Sequence, residues 1–325
     1  MTPPPFHEGE RAVQARVGAG VAEKLAEIGP RVIRDFMPDQ HREFFEQLPF
    51  VIVGSEDGEG QPWASVLAAP AGFIESPNPH ALTIRAKPRA GDPLEHTLAD
   101  GAQIGLLGIE PHTRRRNRMN GVVQGVSDDG FSVHVEQSFG NCPKYIQARE
   151  PMYVAEHRSS PVRHDGTQLD TAARHLISSV DTFFIATSYA GDLGAAGRAA
   201  GVDVSHRGGK PGFVRIDDDA TLTVPDFIGN FFFNTLGNIA INPRAGLLFI
   251  DYGSGDLLYL AAHAEIVWDG PDLRSFDGAQ RLLRFHVTAM RRLQAALPLR
   301  WGSATLSPVL AATGQWPNKV YAGGH

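Results

Sequence analysis

The chain has 325 residues, 42% of them apolar, and a net charge of −6. That length allows two domains with sizeable cores, and the near balance of charge speaks against a uniformly basic nucleic-acid surface. The single cysteine, Cys142, excludes an intrachain disulfide, Met1–Gly20 lacks the apolar centre of a signal peptide, and no stretch approaches the ~18 uninterrupted apolar residues of a membrane span, so a cytoplasmic protein without membrane contact is expected.

The 35 Gly and 23 Pro point to short strands and many turns. Residues 1–20 read as an N-terminal arm. Residues 21–28 and 33–48 read as helices, with Leu25, Ile28, Phe44, Phe45 and Leu48 as apolar marks and Asp39 as a cap. Strands are expected at residues 50–55, 63–67, 72–74, 81–85 and 103–110, the first closed by the turn Glu56-Asp57-Gly58-Glu59-Gly60. Arg114–Arg118 reads as a solvated hairpin, followed by strands at 119–126 and 131–135. Residues 150–166 read as a polar linker, and residues 169–179 as a helix.

In the second half, Val202 and Val204 alternate with polar neighbours, the period of a half-buried strand. Ser205, His206, Arg207 and Lys210 follow, crowded among glycines that let backbone approach a ligand. Strands are expected at 213–216 and 221–224. Pro225-Asp226 then reads as the start of a short helix, with Asp226 as its N-cap. On that helix Asn230, Asn234, Asn238 and Asn242 would stack on one face, opposite Phe232, Leu236 and Ile239. A strand at 246–250, a turn at Gly253–Asp256 and an amphipathic helix over Arg281–Arg292 complete the reading. Arg and Lys neutralise phosphate, a helix N-terminus offers N–H donors, and amides bond ring carbonyls. The region therefore reads either as a cradle for a phosphorylated planar ligand or as a solvated hairpin with helix caps.

The two halves resemble each other. Phe50–Ser55 matches Phe183–Ser188, Ala64-Ser65 matches Val204-Ser205, and Pro70–Ile74 matches Lys210–Val214. Leu82–Ile84 matches Leu222–Val224, and Gly105–Glu110 matches Gly246–Asp251. The expectation is a mainly β protein with flanking helices (α+β), built as two tandem small barrels. Its divisions are an arm with helices at 1–44, a divergent barrel at 45–137, a linker and helix at 138–180, a ligand-binding barrel at 181–270, and a C-terminal helix and tail at 271–325. Ser205-His-Arg-Gly-Gly-Lys210 stands opposite Ser65-Val-Leu-Ala-Ala-Pro70, so the second copy holds the charged and donor side chains that the first lacks.

Val204–Gly209, Pro211–Arg215, Pro225–Asn230, Asn234–Ile239 and Asn242–Phe249 together resemble the FMN-binding split barrel of the pyridoxamine 5′-phosphate oxidase superfamily. The resemblance covers about residues 45–290 when the first copy is included. It implies FMN bound at a barrel–barrel interface. It further implies Ser205, Arg207 and Lys210 at the phosphate and ring edge, His206 beside them, and Asp226, Gly229, Asn230, Asn234 and Thr235 at the ribityl chain and phosphate. Where the family often carries Lys or Arg near the start of this helix, the sequence has Asn234-Thr235.

The resulting expectation is an FMN-dependent oxidoreductase passing hydride or electrons from a reduced donor, NAD(P)H among them, to a small acceptor. The alternative is a non-catalytic binder of a flavin (FMN or FAD), deazaflavin or haem, and a third reading is a scaffold with decayed sites. No paired-histidine motif points to a metal, and Cys142 reads as a buried structural thiol. A homodimer and an intrachain pseudo-dimer are both open.

Overall fold

A computed structural model describes residues 5–155, 160–191 and 199–317. Its strands form two main sheets. The first follows the path β2-β1-β5-β6-β7-β4-β3, and the second β11-β10-β14-β15-β16-β13-β12, with β9 added on β16. In the first, β1 is Phe50–Glu56, β2 Pro62–Ala68, β3 Ile74–Asn78, β4 Ala81–Ile84, β5 Gln103–Glu110, β6 Arg115–Ser127 and β7 Gly130–Gly140. In the second, β10 is Thr182–Tyr189, β11 Gly201–Gly208, β12 Arg215–Ile216, β13 Thr221–Phe227, β14 Arg244–Ile250, β15 Leu257–Val267 and β16 Ala279–Gln294. Position for position, the two seven-strand paths are the same.

Strand alternation explains why the key strands read as continuous apolar runs. On β1, Val51 and Val53 point into the core of the first barrel, whereas Phe50 and Ile52 point out of it. On β10, Phe183 and Ile185 fill the second barrel, and Phe184 and Ala186 point out. The outward residues, with Leu107, Ile109, Leu248 and Ile250, form a third core between the barrels. Both faces of these strands are buried, so the polar half of the period is missing.

The strand pairing also fixes the repeat. Val53 pairs with Ser65 and Leu106, and Ile185 pairs with Ser205 and Leu247. Val53 is therefore the counterpart of Ile185, one residue away from the match of Phe50–Ser55 with Phe183–Ser188. A one-residue slip exchanges the inner and outer faces of a strand, and two all-apolar strands hide it.

Glycine allows the barrels to meet backbone to backbone. A β-carbon at Gly105 would lie 2.5 Å from the Val202 carbonyl oxygen, and one at Gly246 would overlap the Pro62 carbonyl oxygen. Pro62 and Val202 are themselves counterparts, so the contact obeys a pseudo-twofold relation.

Several expectations are corrected. The N-terminal arm contains a helix, α1 (Glu8–Val17), capped by His7, and α2 (Ala19–Val32) follows. The segment read as one helix over 33–48 is helical only as α3, Asp39–Glu46. The third strand runs Ile74–Asn78 rather than 72–74. The 150–166 segment carries two short strands, β8 (Pro151–Tyr153) and β9 (Val162–Gly166). Pro225 and Asp226 sit in strand β13 opposite Leu282 and Arg281, so Asp226 caps no helix. After the helices α4 (Leu94–Thr97) and α5 (Thr171–Ser179), the next begins at Asn234 (α6, Asn234–Ile241), following Phe233. The expected Arg281–Arg292 helix is strand β16, because Leu283, Phe285 and Val287 alternate with Arg284, His286 and Thr288 at a period of two. The first barrel thus runs to Gly140 and the second to Gln294, beyond the expected ends at 137 and 270.

Two consequences are testable. Gly105→Ala and Gly246→Ala should each destabilise the protein by about 1–3 kcal/mol in denaturant unfolding, because backbone on the far side cannot yield. Gly58→Ala, with nothing within 4 Å of the new methyl, should be near neutral. The second consequence concerns Asp92, a fully buried carboxyl between the barrels. It accepts from Ser65 Oγ at 2.5 Å, Tyr259 Oη at 2.7 Å and Leu94 N at 2.9 Å. Burial pushes its pKa up from 3.8 to about 6 despite those donors. A raised pKa stabilises the fold at low pH, and that contribution is lost as pH rises from about 4 through 6. Asp92→Asn should therefore match the wild type at pH 4 and gain on it above pH 6, by up to roughly 3 kcal/mol. A stability difference independent of pH would refute this.

Candidate functional site

The strand β11 presents Ser205, His206 and Arg207 at the seam between the barrels. From the first barrel, β6 brings Arg116 and Arg118 to the same place, and the segment after β7 brings Asn141, Cys142, Lys144 and Tyr145. The end of β13, the loop to α6 and the first turn of α6 close the other side. The result is a cleft of about 880 Å³, part of it open to solvent.

Its walls are hydrogen-bonded from behind. Arg118 Nη1 donates to Asp203 Oδ1 at 2.9 Å, and Arg118 Nη2 donates to Ser205 Oγ. Thr235 Oγ1 donates to the same serine at 3.0 Å. Arg207 donates to Asp226 Oδ1, and Arg281 Nε lies 3.6 Å from the other carboxylate oxygen. Arg116 Nε donates to the Cys142 carbonyl at 2.7 Å, and its Nη1 to the His206 carbonyl at 3.3 Å. The Arg281 guanidinium stacks on Phe233 and Trp268. In the connecting loop, Phe231 and Phe233 both have left-handed backbones, φ 64° and 62°. Such residues cost of order 1–3 kcal/mol each, and they cluster at ligand sites.

The cleft is cationic inside an acidic protein. Arg116, Arg118, Arg207 and Lys144 face Asp203 and Asp226. Burial lowers the Arg116 pKa to about 10; a pull upward from Cys142 is offset by Arg118 and Arg207. Arg118 is lowered by burial despite Asp203. His206 is held well below its ordinary value, first by burial and then by Arg116 and Arg207, so its ring is neutral near pH 7. Arg118 Nε, His206 Nδ1, Arg207 Nε and Asn141 Nδ2 are buried and have no hydrogen-bond partner among the described residues. Buried polar atoms are ordinarily satisfied by protein or by water, so several orphans around one cleft make it the candidate site.

Of the residues singled out in the sequence, Ser205, His206, Arg207, Asp226, Gly229, Asn230, Asn234 and Thr235 all line this cleft. Lys210 does not: its Nζ donates to the Thr313 carbonyl at 2.6 Å. The Asn238 and Asn242 amides are spent on Thr187, Asp203 and Ser188, and Asn230 bonds the Phe232 N–H in its own loop. Arg116 and Arg118, read as part of a solvated hairpin, are strand residues, and Arg118 is only 3% exposed. Cys142 is a half-buried residue of the cleft wall rather than a core thiol. The alternation of Arg116 and Arg118 was a readable strand signal. That β6 lies against the other barrel was not readable.

The pseudo-twofold relation predicts a mirror cleft, and it is filled. Leu107 pairs with Arg118, and Leu248 with Tyr259, so Tyr259 stands where Arg118 stands. By the same relation Leu257 replaces Arg116 and Leu67 replaces Arg207. Ser65 and Tyr259 there bond Asp92, whereas Ser205 bonds Arg118.

The family model for pyridoxamine 5′-phosphate oxidase matches residues 37–160. That is the first barrel and the segment carrying Arg116, Arg118 and Asn141–Tyr145, whereas the resemblance read in the sequence rested on the second. Among solved structures, HupZ of Group A Streptococcus aligns at 15% identity over 38% of this chain and 99% of its own, with a TM-score of 0.30. A candidate pyridoxamine 5′-phosphate oxidase from Lactobacillus delbrueckii aligns at 15% identity over 38% of this chain and 98% of its own, TM-score 0.30. A FAD-binding protein from Mesorhizobium loti aligns at 11% identity over 41% of this chain and 98% of its own, TM-score 0.27. No curated protein matches the chain. Over its first barrel the chain thus matches the pyridoxamine 5′-phosphate oxidase family model, and its second barrel repeats the same strand order.

Proposed function

We propose that the cleft binds one FMN per chain and that the protein is an FMN-dependent oxidoreductase. The observation that carries the reading is the convergence of Arg116, Arg118, Arg207 and Lys144 on one cleft at the barrel seam, where the buried Nε atoms of Arg118 and Arg207 have no partner among the described residues. The family match and the FAD-binding relative favour a flavin as the planar ligand.

The donor set fits a phosphorylated flavin. Arg116 and Lys144 supply charge for a phosphate, and a dianion offsets an excess of positive charge that burial otherwise makes costly. Asn141, Asn234 and Thr235 supply neutral bonds, and Phe231 and Phe233 supply apolar surface. Bound flavin supplies hydride and electron transfer, and the protein's part is placement and electrostatics. Arg207 and the neutral His206 are the groups to stabilise negative charge on a reduced ring. The filled mirror cleft, sealed by Asp92 and Tyr259, supports a single cofactor per chain. NAD(P)H is the reductant to try first, with a small organic molecule or oxygen as acceptor.

Titration of the full chain with FMN should give one site per chain. Arg116→Ala and Arg207→Ala should each weaken binding by about tenfold or more, the worth of a charge-assisted bond of 1.5–3 kcal/mol. Lys210→Ala should bind as the wild type does. Equal affinity in all three variants would remove the cleft from consideration. Anaerobic NAD(P)H should then bleach the flavin absorbance. Tight binding without reduction by any donor favours the non-catalytic binder, and a protein that ignores FMN sinks the flavin reading.

A further inference from the structure

The helix α1 belongs to no barrel, yet its buried face is polar. Gly9, Glu10, Val13 and Gln14 are the buried residues, and His7 at the N-cap is buried with them. Gly9 and Gly237 lie at the crossing with α6, where a β-carbon on either would overlap the other helix. That closeness brings a carboxyl and an imidazole against the back of the cleft.

From there a continuous chain of hydrogen bonds runs to the ligand side. His7 Nε2 bonds Asn238 Oδ1 at 2.8 Å, and Asn238 Nδ2 donates to Asp203 Oδ2 at 3.1 Å. Asp203 Oδ1 receives Arg118 at 2.9 Å and Asn120 Nδ2 at 2.8 Å. Arg118 in turn reaches Ser205, which Thr235 also contacts. In parallel, Glu10 Oε1 receives Asn234 Nδ2, and Glu10 Oε2 receives the His7 N–H at 2.8 Å. Farther along the helix, Gln14 Nε2 donates to the Phe232 carbonyl at 3.1 Å, between the two left-handed phenylalanines.

We propose that His7 and Glu10 are positioning residues for the cleft, so that docking of the N-terminal helix and ligand binding are thermodynamically coupled. The proposal rests on the reading that the cleft binds FMN. Asn234 and Arg118 each have a front at the cleft and a back held, directly or through Asn238 and Asp203, by α1. Removing the helix contacts frees both to reorient, and by linkage whatever fixes them at the front tightens the helix at the back. Glu10 is suited to a fixed role rather than a charged one. Burial first, and Asp203 second, raise its pKa well above the ordinary carboxyl range. An isosteric amide can then take its place, accepting from His7 N–H and donating to an Asn234 amide turned over.

The test uses the full chain, with FMN as the probe. Glu10→Leu should weaken FMN binding roughly tenfold or more, within the usual span of coupling energies. Glu10→Gln should restore affinity to within about threefold of wild type. His7→Phe, which keeps a ring to stack on Tyr189 but loses the bond to Asn238, should also weaken binding and serves if Glu10→Leu does not fold. In the wild type, FMN should slow amide exchange across residues 8–17. Unchanged affinity in Glu10→Leu or His7→Phe, equal loss in Glu10→Gln and Glu10→Leu, or exchange over 8–17 indifferent to FMN would each overturn the coupling. If the wild type does not bind FMN, the flavin reading fails. The positioning claim is then decided on ligand-free protein: the Arg118 Nε–Hε resonance must shift in Glu10→Leu or His7→Phe and return in Glu10→Gln, and a resonance the variants leave in place refutes it.

Discussion

The approach of the two barrels at Gly105 and Gly246 is the constraint from which the rest follows. Two backbones in contact leave no room for side chains at those points, so the neighbouring outward residues pack around them. Phe50, Ile52, Leu107, Phe184 and Leu248 thereby become a core that neither barrel could bury alone. The same contact places β6 of one barrel beside β11 of the other, and the cleft is what remains open at the edge of that seam. Fold and site thus share one cause: the cleft lies at the edge of a seam whose backbones touch at Gly105 and Gly246 and whose remainder is filled by the outward side chains.

A duplicated barrel makes two such edges, and the chain treats them oppositely. At one, arginines from both barrels converge with a neutral histidine. At the other, the equivalent positions are Leu67, Leu257 and Tyr259, and the space is closed by the carboxyl of Asp92. Each solution has a cost. Burying Asp92 disfavours its charge, and three hydroxyl and amide donors only partly offset that. Burying Arg116 and Arg118 disfavours theirs, and Asp203 answers only one. The first cost is partly offset inside the protein; under the proposed function the second is offset by an anion from outside.

The sequence made one level of this legible and concealed the next. The repeat, the barrels and most of the residues on β11 and α6 could be read because glycines, aromatic runs and amides occur in matching order. The register of β1 against β10 could not, since both strands are apolar on both faces and a shift by one residue looks equally good. Arg281–Arg292 reads as a helix because Leu283, Val287 and Met290 fall at i, i+4 and i+7, alongside the strand period that Leu283, Phe285 and Val287 obey. Arg116 and Arg118 were missed for a different reason. Charged residues in a turn-like stretch are ordinarily solvated, and only a partner barrel folded over them buries Arg118 and half-buries Arg116. Lys210 was included by its neighbourhood in sequence, yet its long side chain runs the other way, to the C-terminal segment at Thr313.

The cationic cleft also bears on stability. Buried guanidinium groups with unused N–H donors raise the free energy of the ligand-free fold, because water solvates them fully once the chain opens. A ligand that binds only the folded state adds RT ln(1 + [L]/Kd) to stability, about 2.7 kcal/mol at a hundredfold excess over Kd. An anion that supplies the missing acceptors draws on that same destabilisation for its affinity. The strained Phe231 and Phe233 backbones and the helix α1 behind them lie on the same circuit, so they share in whatever the ligand stabilises. The orphaned donors, the left-handed loop and the polar underside of an N-terminal helix are then three parts of one arrangement. Under the proposed function, a phosphorylated ligand is what completes such a fold.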